Sequence, residues 1–233
     1  MTVYVLPSDA RGSANHGWLQ SHHSFSFADF YNPKQMGYRW LRVINEDTVQ
    51  GGGGFPTHPH KDMEIVTYIV SGALEHKDST GGHSIIKRGE VQRMTAGTGV
   101  RHSEFNASQT EAVKLLQIWL LPAERDLTPG YEQKLFDEAD KHNQLRLVVS
   151  PDGRDGSLTI HQDVSLYASM LDEGKSVELD MAKERGAWVQ VISGTLSVNG
   201  QEIAEGDGAA IEEAEKLTIT ATKPSEFILF DLS

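Results

Sequence analysis

The chain has 233 residues and no cysteine, and its 33 Asp and Glu against 21 Lys and Arg leave a formal charge of −12. Disulfides, thiolate-held zinc or iron–sulfur centres and cysteine nucleophiles are therefore excluded, and so acidic a chain, with no long basic run, lacks the footprint for direct nucleic-acid binding. Any metal must be held by imidazole and carboxylate, and 10 His, several of them clustered, are there to be explained.

The opening run MTVYVLPSDARG has neither a charged n-region nor an apolar h-region. No apolar stretch approaches the roughly 20 residues of a membrane span, so a cytoplasmic chain with no membrane contact is expected. The 22 Gly and 8 Pro divide the chain into short segments rich in Val, Ile, Leu, Tyr and Thr, the punctuation of many short strands. In chain order these include Met63–Val70, Lys114–Leu121, Gln144–Val149, Trp188–Ile192 and Glu226–Leu232. Pro129–His142 is the one stretch read as a short helix, with Leu135, Phe136 and Ala139 on one face. An all-β, antiparallel protein is the result.

The chain also repeats itself. IVSGAL at Ile69–Leu74 returns as VISGTL at Val191–Leu196. The first copy runs on to Gly81, Gly82 and the step Arg88–Gly89–Glu90, and the second to Asn199–Gly200 and the step Glu205–Gly206–Asp207. Asn-Gly between alternating apolar residues is a strong hairpin signal. Two copies of one β-barrel unit are expected, 1–135 and 136–233, joined within Pro122–Gly156, where Pro, Asp and Gly concentrate.

Chemistry concentrates in the first copy. In GGGGFPTHPHKDME, Gly51–Glu64, alternate residues of an unbroken strand share a face, so His58, His60, Asp62 and Glu64 point together. In GTGVRHSEFN, Gly97–Asn106, the same parity groups His102, Glu104 and Asn106. A single His on a strand is usually a satisfied core residue. Two such clusters lining one barrel instead make a nitrogen-and-oxygen site suited to a first-row divalent ion. Parity admits either Glu64 or Glu104 as the carboxylate ligand. The second copy places Asp180, Ala182 and Ile219 where the first has His58, His60 and His102, so it is expected to hold no metal.

The spacing Gly52-x5-His58-x-His60-x3-Glu64-x7-Gly72, followed by Gly97-x-Gly99-x2-His102-x3-Asn106, resembles the paired motifs of the cupin superfamily. HGWLQSHHSFSFADFYNP, THPHKDMEIVTYIVSGALEH, MTAGTGVRHSEFN and DGSLTIHQD resemble, more narrowly, the pirin family, especially bacterial members described as quercetin 2,3-dioxygenases. The resemblance spans nearly the whole chain. It implies a bicupin of two tandem jelly-roll barrels: an N-terminal one, 1–135, with a single metal held by His58, His60, His102 and Glu104, and a degenerate C-terminal one, 136–233. Iron(II) is the ion the resemblance implies, although such a donor set also accepts Zn, Ni, Mn, Co or Cu. The wider cupin pattern would use Glu64 as ligand and has Pro where this chain has Gly97. Pirin-like proteins use the Glu two residues after the second-motif His. On that resemblance Glu104 is the ligand, and Glu64 orients a ligand imidazole or a bound water.

The activity implied is cleavage of a flavonol such as quercetin by O₂ with release of carbon monoxide, with Glu104 or Glu64 as the base. The alternative of another class is a non-catalytic metal and redox sensor that binds a protein partner. The chain is expected to act as a monomer. His16, His22 and His23 divide between a cavity lid and loop packing, and Phe25, Phe27, Phe30 and Tyr31 fit core or cavity wall equally, with core taken as the expectation. His161 is expected to hydrogen-bond across the domain interface, and His76, His83 and His142 to lie on the surface.

Overall fold

The computed structural model describes every residue from Met1 to Ser233 and is built almost wholly of antiparallel strands. The first part of the chain contains β1 (Thr2–Leu6), β2 (Gly12–Asn15), β3 (Leu19–His23), β4 (Leu41–Val49), β5 (Gly54–His60) and β6 (Glu64–Ser71). Next come β7 (Ala73–Asp78), β8 (His83–Lys87), β9 (Glu90–Thr95), β10 (Val100–Asn106), β11 (Val113–Leu120) and β12 (Gly130–Leu135). After the single α-helical turn α1 (Glu138–Lys141) come β13 (Arg146–Ser150), β14 (Leu158–Thr159), β15 (Val164–Leu171) and β16 (Ser176–Asp180). The chain closes with β17 (Gly186–Val198), β18 (Gln201–Ala204), β19 (Gly208–Glu212) and β20 (Lys216–Leu232). No helix is long and apolar enough to cross a membrane.

The chain divides into two compact units whose limits differ from the expected 1–135 and 136–233. One comprises Gly12–Leu135 with Leu158–Gln162; the other comprises Met1–Arg11, Phe136–Ser157 and Asp163–Ser233. Backbone pairing and hydrogen bonding account for both exchanges. β1 pairs with β19, which draws the first residues into the later unit. The segment 158–162 returns to the earlier one through the Thr159 amide on Glu132 Oε2 (3.1 Å), the Ala123 amide on the His161 carbonyl (2.8 Å) and Gln162 Nε2 on the Leu121 carbonyl (2.9 Å). The helix expected over Pro129–His142 is mostly strand. Gly130–Leu135 pairs residue by residue with β9, leaving only α1, whose first turn is closed by a reciprocal Asp137–Asp140 cap.

The earlier unit has one sheet in the order β12-β9-β6-β11-β4-β3-β2 and a second in the order β5-β10-β7-β8. Side chains from both meet in an apolar core of Leu19, Val49, Ile69, Leu74, Ile86, Val113 and Leu115. In the later unit β1, β19, β17, β20, β15 and β13 lie in that order, with β16 on β20 and β18 on β17. Its interior is continuously apolar, and Ile219 is buried there beside Leu196, Val198 and Leu217. The place that holds His102 in the first repeat is thus packing in the second, and Asp180 lies exposed at the end of β16. The repeat itself is visible in the backbone. Gly72 (φ +77°) and Gly194 (φ +84°) occupy matching left-handed positions, as the shared SG step requires.

Candidate metal centre and its cavity

Three imidazoles converge between β5 and β10. His58 lies directly opposite His102 in the ladder, and His60 lies two residues further along β5, so alternation brings all three to one face. Their ring centroids are 4.4–4.8 Å apart, and their ligating nitrogens lie within 4.8 Å of one another. Along β10 burial alternates, with Val100, His102, Glu104 and Asn106 inward. Glu104 is buried and groups within the same 4.8 Å limit with His102 and His76, so His102 is common to both clusters. Asn106 faces inward but is structural. Its Nδ2 donates to the Val49 and Glu111 carbonyls at 2.9 and 2.7 Å, and it closes the loop into β11.

His76, expected on the surface, is fully buried. The cause is the β7–β10 pairing that sets it opposite Glu104. It fixes the tautomer of His102. His76 Nε2 donates to Asp78 Oδ2 at 3.1 Å, so in the neutral ring Nδ1 is an acceptor, and the proton between it and His102 Nδ1, 3.5 Å away, belongs to His102. His102 Nε2 then carries a lone pair. It is buried and has no hydrogen-bond partner. Asp78 is anchored from the other side. Although burial pushes its carboxyl up, hydrogen bonds from the Thr80 hydroxyl and amide, the Gly82 amide and His76 hold it below the usual range. His58 is oriented likewise, since its Nδ1 donates to the Pro56 carbonyl at 2.9 Å, leaving Nε2 as a lone pair.

Burial keeps His60 and His102 neutral. Burial, then the charge of His58, pushes His60 down to about 4, and the same two causes, with His60 and His76 added, bring His102 down to about 2. Glu104 moves the other way. Burial raises its carboxyl to about 7 against the opposing hydrogen bond from Gln117, and the charge of Asp47 adds to the rise. Gln117 Nε2 donates to both Glu104 oxygens at 3.2 and 3.1 Å, while Thr67 Oγ1 donates to Gln117 Oε1 at 2.9 Å. An orphaned buried imidazole nitrogen, two neighbouring imidazoles and a desolvated carboxylate are the donor set a divalent cation satisfies.

Glu64 does not join this group. The strand read as unbroken from Gly51 to Glu64 is interrupted at Asp62, whose φ of +49° turns the chain between β5 and β6. Thr67 points inward to Gln117, so Glu64, three residues earlier on β6, faces the other side of the sheet. There it accepts from Thr95 Oγ1 at 3.1 Å and lies 3.3 Å from His161 Nδ1, and burial, offset by Thr95, Arg93 and His161, raises its carboxyl. Its expected part in orienting an imidazole or serving as base is corrected accordingly. His161 bonds within its own compact unit rather than across an interface. Asp62 instead accepts the Asp126 amide at 2.7 Å.

Beside the imidazoles opens a cavity of about 390 Å³. Its apolar wall includes Trp18, Phe55, Phe27 and Trp119, and its polar lining includes Ser21, His23, Asn45, Asp47, Glu104 and Gln117. Trp18 meets Phe55 edge-on at 5.2 Å and Phe27 meets Trp119 at 5.4 Å, and His60 stands against Trp119 at 4.9 Å. His16 and His23 line this space, whereas His22 alternates outward. Of the aromatics expected in the core, Phe25 is buried, Phe27 lines the cavity and Tyr31 is 73% exposed. His83 and His142 are exposed, as expected, and bond Glu75 and Asp172 at 2.8 and 2.9 Å. Sequence reading missed Asn45, Asp47, Gln117 and Ser21. Their inward parity on β3, β4 and β11 was legible, but nothing local marks them as neighbours of the imidazoles.

Comparison with known proteins agrees with this architecture. The pirin family matches residues 6–120, and the quercetinase C-terminal cupin domain matches residues 147–232. A protein named quercetin 2,3-dioxygenase from Escherichia coli K12 is 49% identical over 231 residues, spanning 99% of this chain and 98% of its own. The crystal structure of YhhW from E. coli superposes with a TM-score of 0.96 at 48% identity, covering 100% of this chain and 98% of that one. That of bacterial pirin YhhW in complex with nickel(II) superposes at 0.94 and 47%, covering 99% of each. With two cupin domains and identity of this extent over its whole length, the chain belongs to the pirin family.

Proposed function

We propose that this protein is a metal-dependent dioxygenase that cleaves a flavonol such as quercetin with O₂ and releases carbon monoxide, using one divalent ion, iron(II), held by His58, His60, His102 and Glu104. The observation that carries the reading is the orphaned, buried Nε2 of His102 grouped with His58 and His60, which themselves line an aromatic-walled cavity of about 390 Å³, within the ~300–1,000 Å³ of small-molecule sites. Relatives named quercetin 2,3-dioxygenase and the nickel complex of a close relative support it.

When bound, the ion supplies Lewis acidity and access to O₂. The remaining work falls to the chain. Trp18, Phe55, Phe27 and Trp119 receive the flat rings and exclude water. Gln117 fixes the plane of the Glu104 carboxylate through two hydrogen bonds. Glu104, which lines the cavity beside His58 and His60, is the carboxylate placed to accept the proton of a ligand hydroxyl. Glu64, on the far face of β6, takes no part in this chemistry.

The test is metal content together with gas exchange. Wild type and Glu64→Ala are expected to retain one ion per chain, and Glu104→Ala to lose most of it. Metal-replete wild type should consume O₂ and release carbon monoxide from quercetin in equal amounts. Full loss of metal only in Glu64→Ala overturns the ligand set. Metal-replete protein that gives neither gas signal, yet captures a protein partner, overturns the enzymatic reading in favour of the regulatory one.

A further inference from the structure

We infer that Asp47, held in place by Ser21, is a hydrogen-bond-accepting subsite of the cavity that selects an aromatic ligand by one uncharged ring hydroxyl. The inference rests on the reading that the cavity takes a hydroxylated aromatic, and it adds the residue that chooses among such molecules.

Asp47 lies on β4, in LRVINEDTV, and alternation turns Asn45 and Asp47 inward while Glu46 pairs with Lys114 at 2.7 Å. It is only 4% exposed, yet it lines the cavity, whose lining contains no Lys or Arg. A carboxylate kept inside a fold for structural reasons is ordinarily paired with a cation or saturated with donors. Asp47 is neither. Its Oδ1 accepts one hydrogen bond, from the Ser21 hydroxyl, and Oδ2 has none. Burial, set against that Ser21 bond and reinforced by the charge of Glu46, raises the carboxyl to about 6, a measure of how poorly it is solvated.

The surrounding bonds run in one direction. His23 Nδ1 donates to Asn45 Oδ1 at 2.8 Å and lies 3.3 Å from Ser21 Oγ, so Ser21 accepts from the ring side and spends its single proton on Asp47. Ionised Asp47 can then only accept. A ligand group meeting Oδ2 must bring a proton, which fits a neutral hydroxyl and rejects a phenolate or carboxylate. Glu104 is the other acid lining the same space, so an anionic ring substituent at this end would meet two carboxylates. The partner chemistry is thus a flat ring system packed against Trp18 and Phe55 that presents a protonated hydroxyl to β4.

The experiment measures anaerobic dissociation constants of quercetin, and of flavonols each lacking one ring hydroxyl, on the metal-loaded protein. Wild type should lose about 10- to 100-fold in affinity for the one analogue that lacks the selected hydroxyl, the range for a hydrogen bond to a charged acceptor. Asp47→Asn, with metal content and circular dichroism as wild type, should lose a similar factor for quercetin and lose nothing further for that analogue. Asp47→Asn that binds quercetin and every analogue as wild type does overturns the inference while leaving the dioxygenase reading intact. Wild type that binds no flavonol overturns both. Should Asp47→Asn fail to fold, Ser21→Ala carries the test, because freeing Asp47 should reduce discrimination against the same analogue several-fold, and unchanged discrimination counts against the inference.

Discussion

Glu104→Gln in the metal-free protein separates the cost of building this site from its chemistry. The folded carboxyl lies at about 7 against an ordinary 4.5, chiefly because burial disfavours the charged form. A group raised in this direction stabilises the fold fully below the unfolded value and loses that contribution as pH rises through the folded one. The window is therefore about pH 4.5 to 7, and the loss above it is about 3 kcal/mol. The amide that replaces the carboxyl is close to isosteric, can accept from Gln117 and does not ionise. Chelator-stripped Glu104→Gln is therefore expected to exceed stripped wild type by about 3 kcal/mol at pH 8, and by less than about 0.5 kcal/mol at pH 4.5. Urea unfolding at the two pH values measures the gap. A difference that is the same at both would mean the variant acts through packing, and the electrostatic reasoning would be wrong. The destabilised carboxylate is the counterpart of a strong ligand, in keeping with sites that trade stability for function.

Two further outcomes rest on particular contacts. His76→Leu removes the acceptor that sets the His102 tautomer, so divalent-metal affinity, read by competition with a chromogenic chelator, is expected to fall about 10- to 100-fold; unchanged affinity would show that His102 needs no such partner. Gly97→Ala places a Cβ 1.9 Å from the Leu127 carbonyl oxygen at a φ of +48°, which should cost about 2–4 kcal/mol and lower the melting temperature by about 5 °C or more. A melting temperature within about 1 °C of wild type would mean the Leu127 backbone yields freely.

The all-β class, the internal repeat and the inward parity of His102 and Glu104 were open to reading because each depends on local chemistry: turn glycines, and alternation within one strand. The parity of His58 and His60 was legible for the same reason. Extending it to Glu64 failed at Asp62, where a left-handed residue turns the chain out of the sheet of β5 into that of β6 and alternation no longer carries across. The buried place of His76 came from its pairing with β10, a contact between segments far apart in sequence. Asp47, Ser21, Asn45 and Gln117 likewise became a cavity wall only when β3, β4 and β11 were set side by side in register. The sequence by itself thus determined which donors the protein owns and, strand by strand, which share a face. The tertiary structure decided which of those faces meet, because the strands that pair, such as β5 with β10 and β4 with β11, are far apart in the chain and no local spacing names their partners.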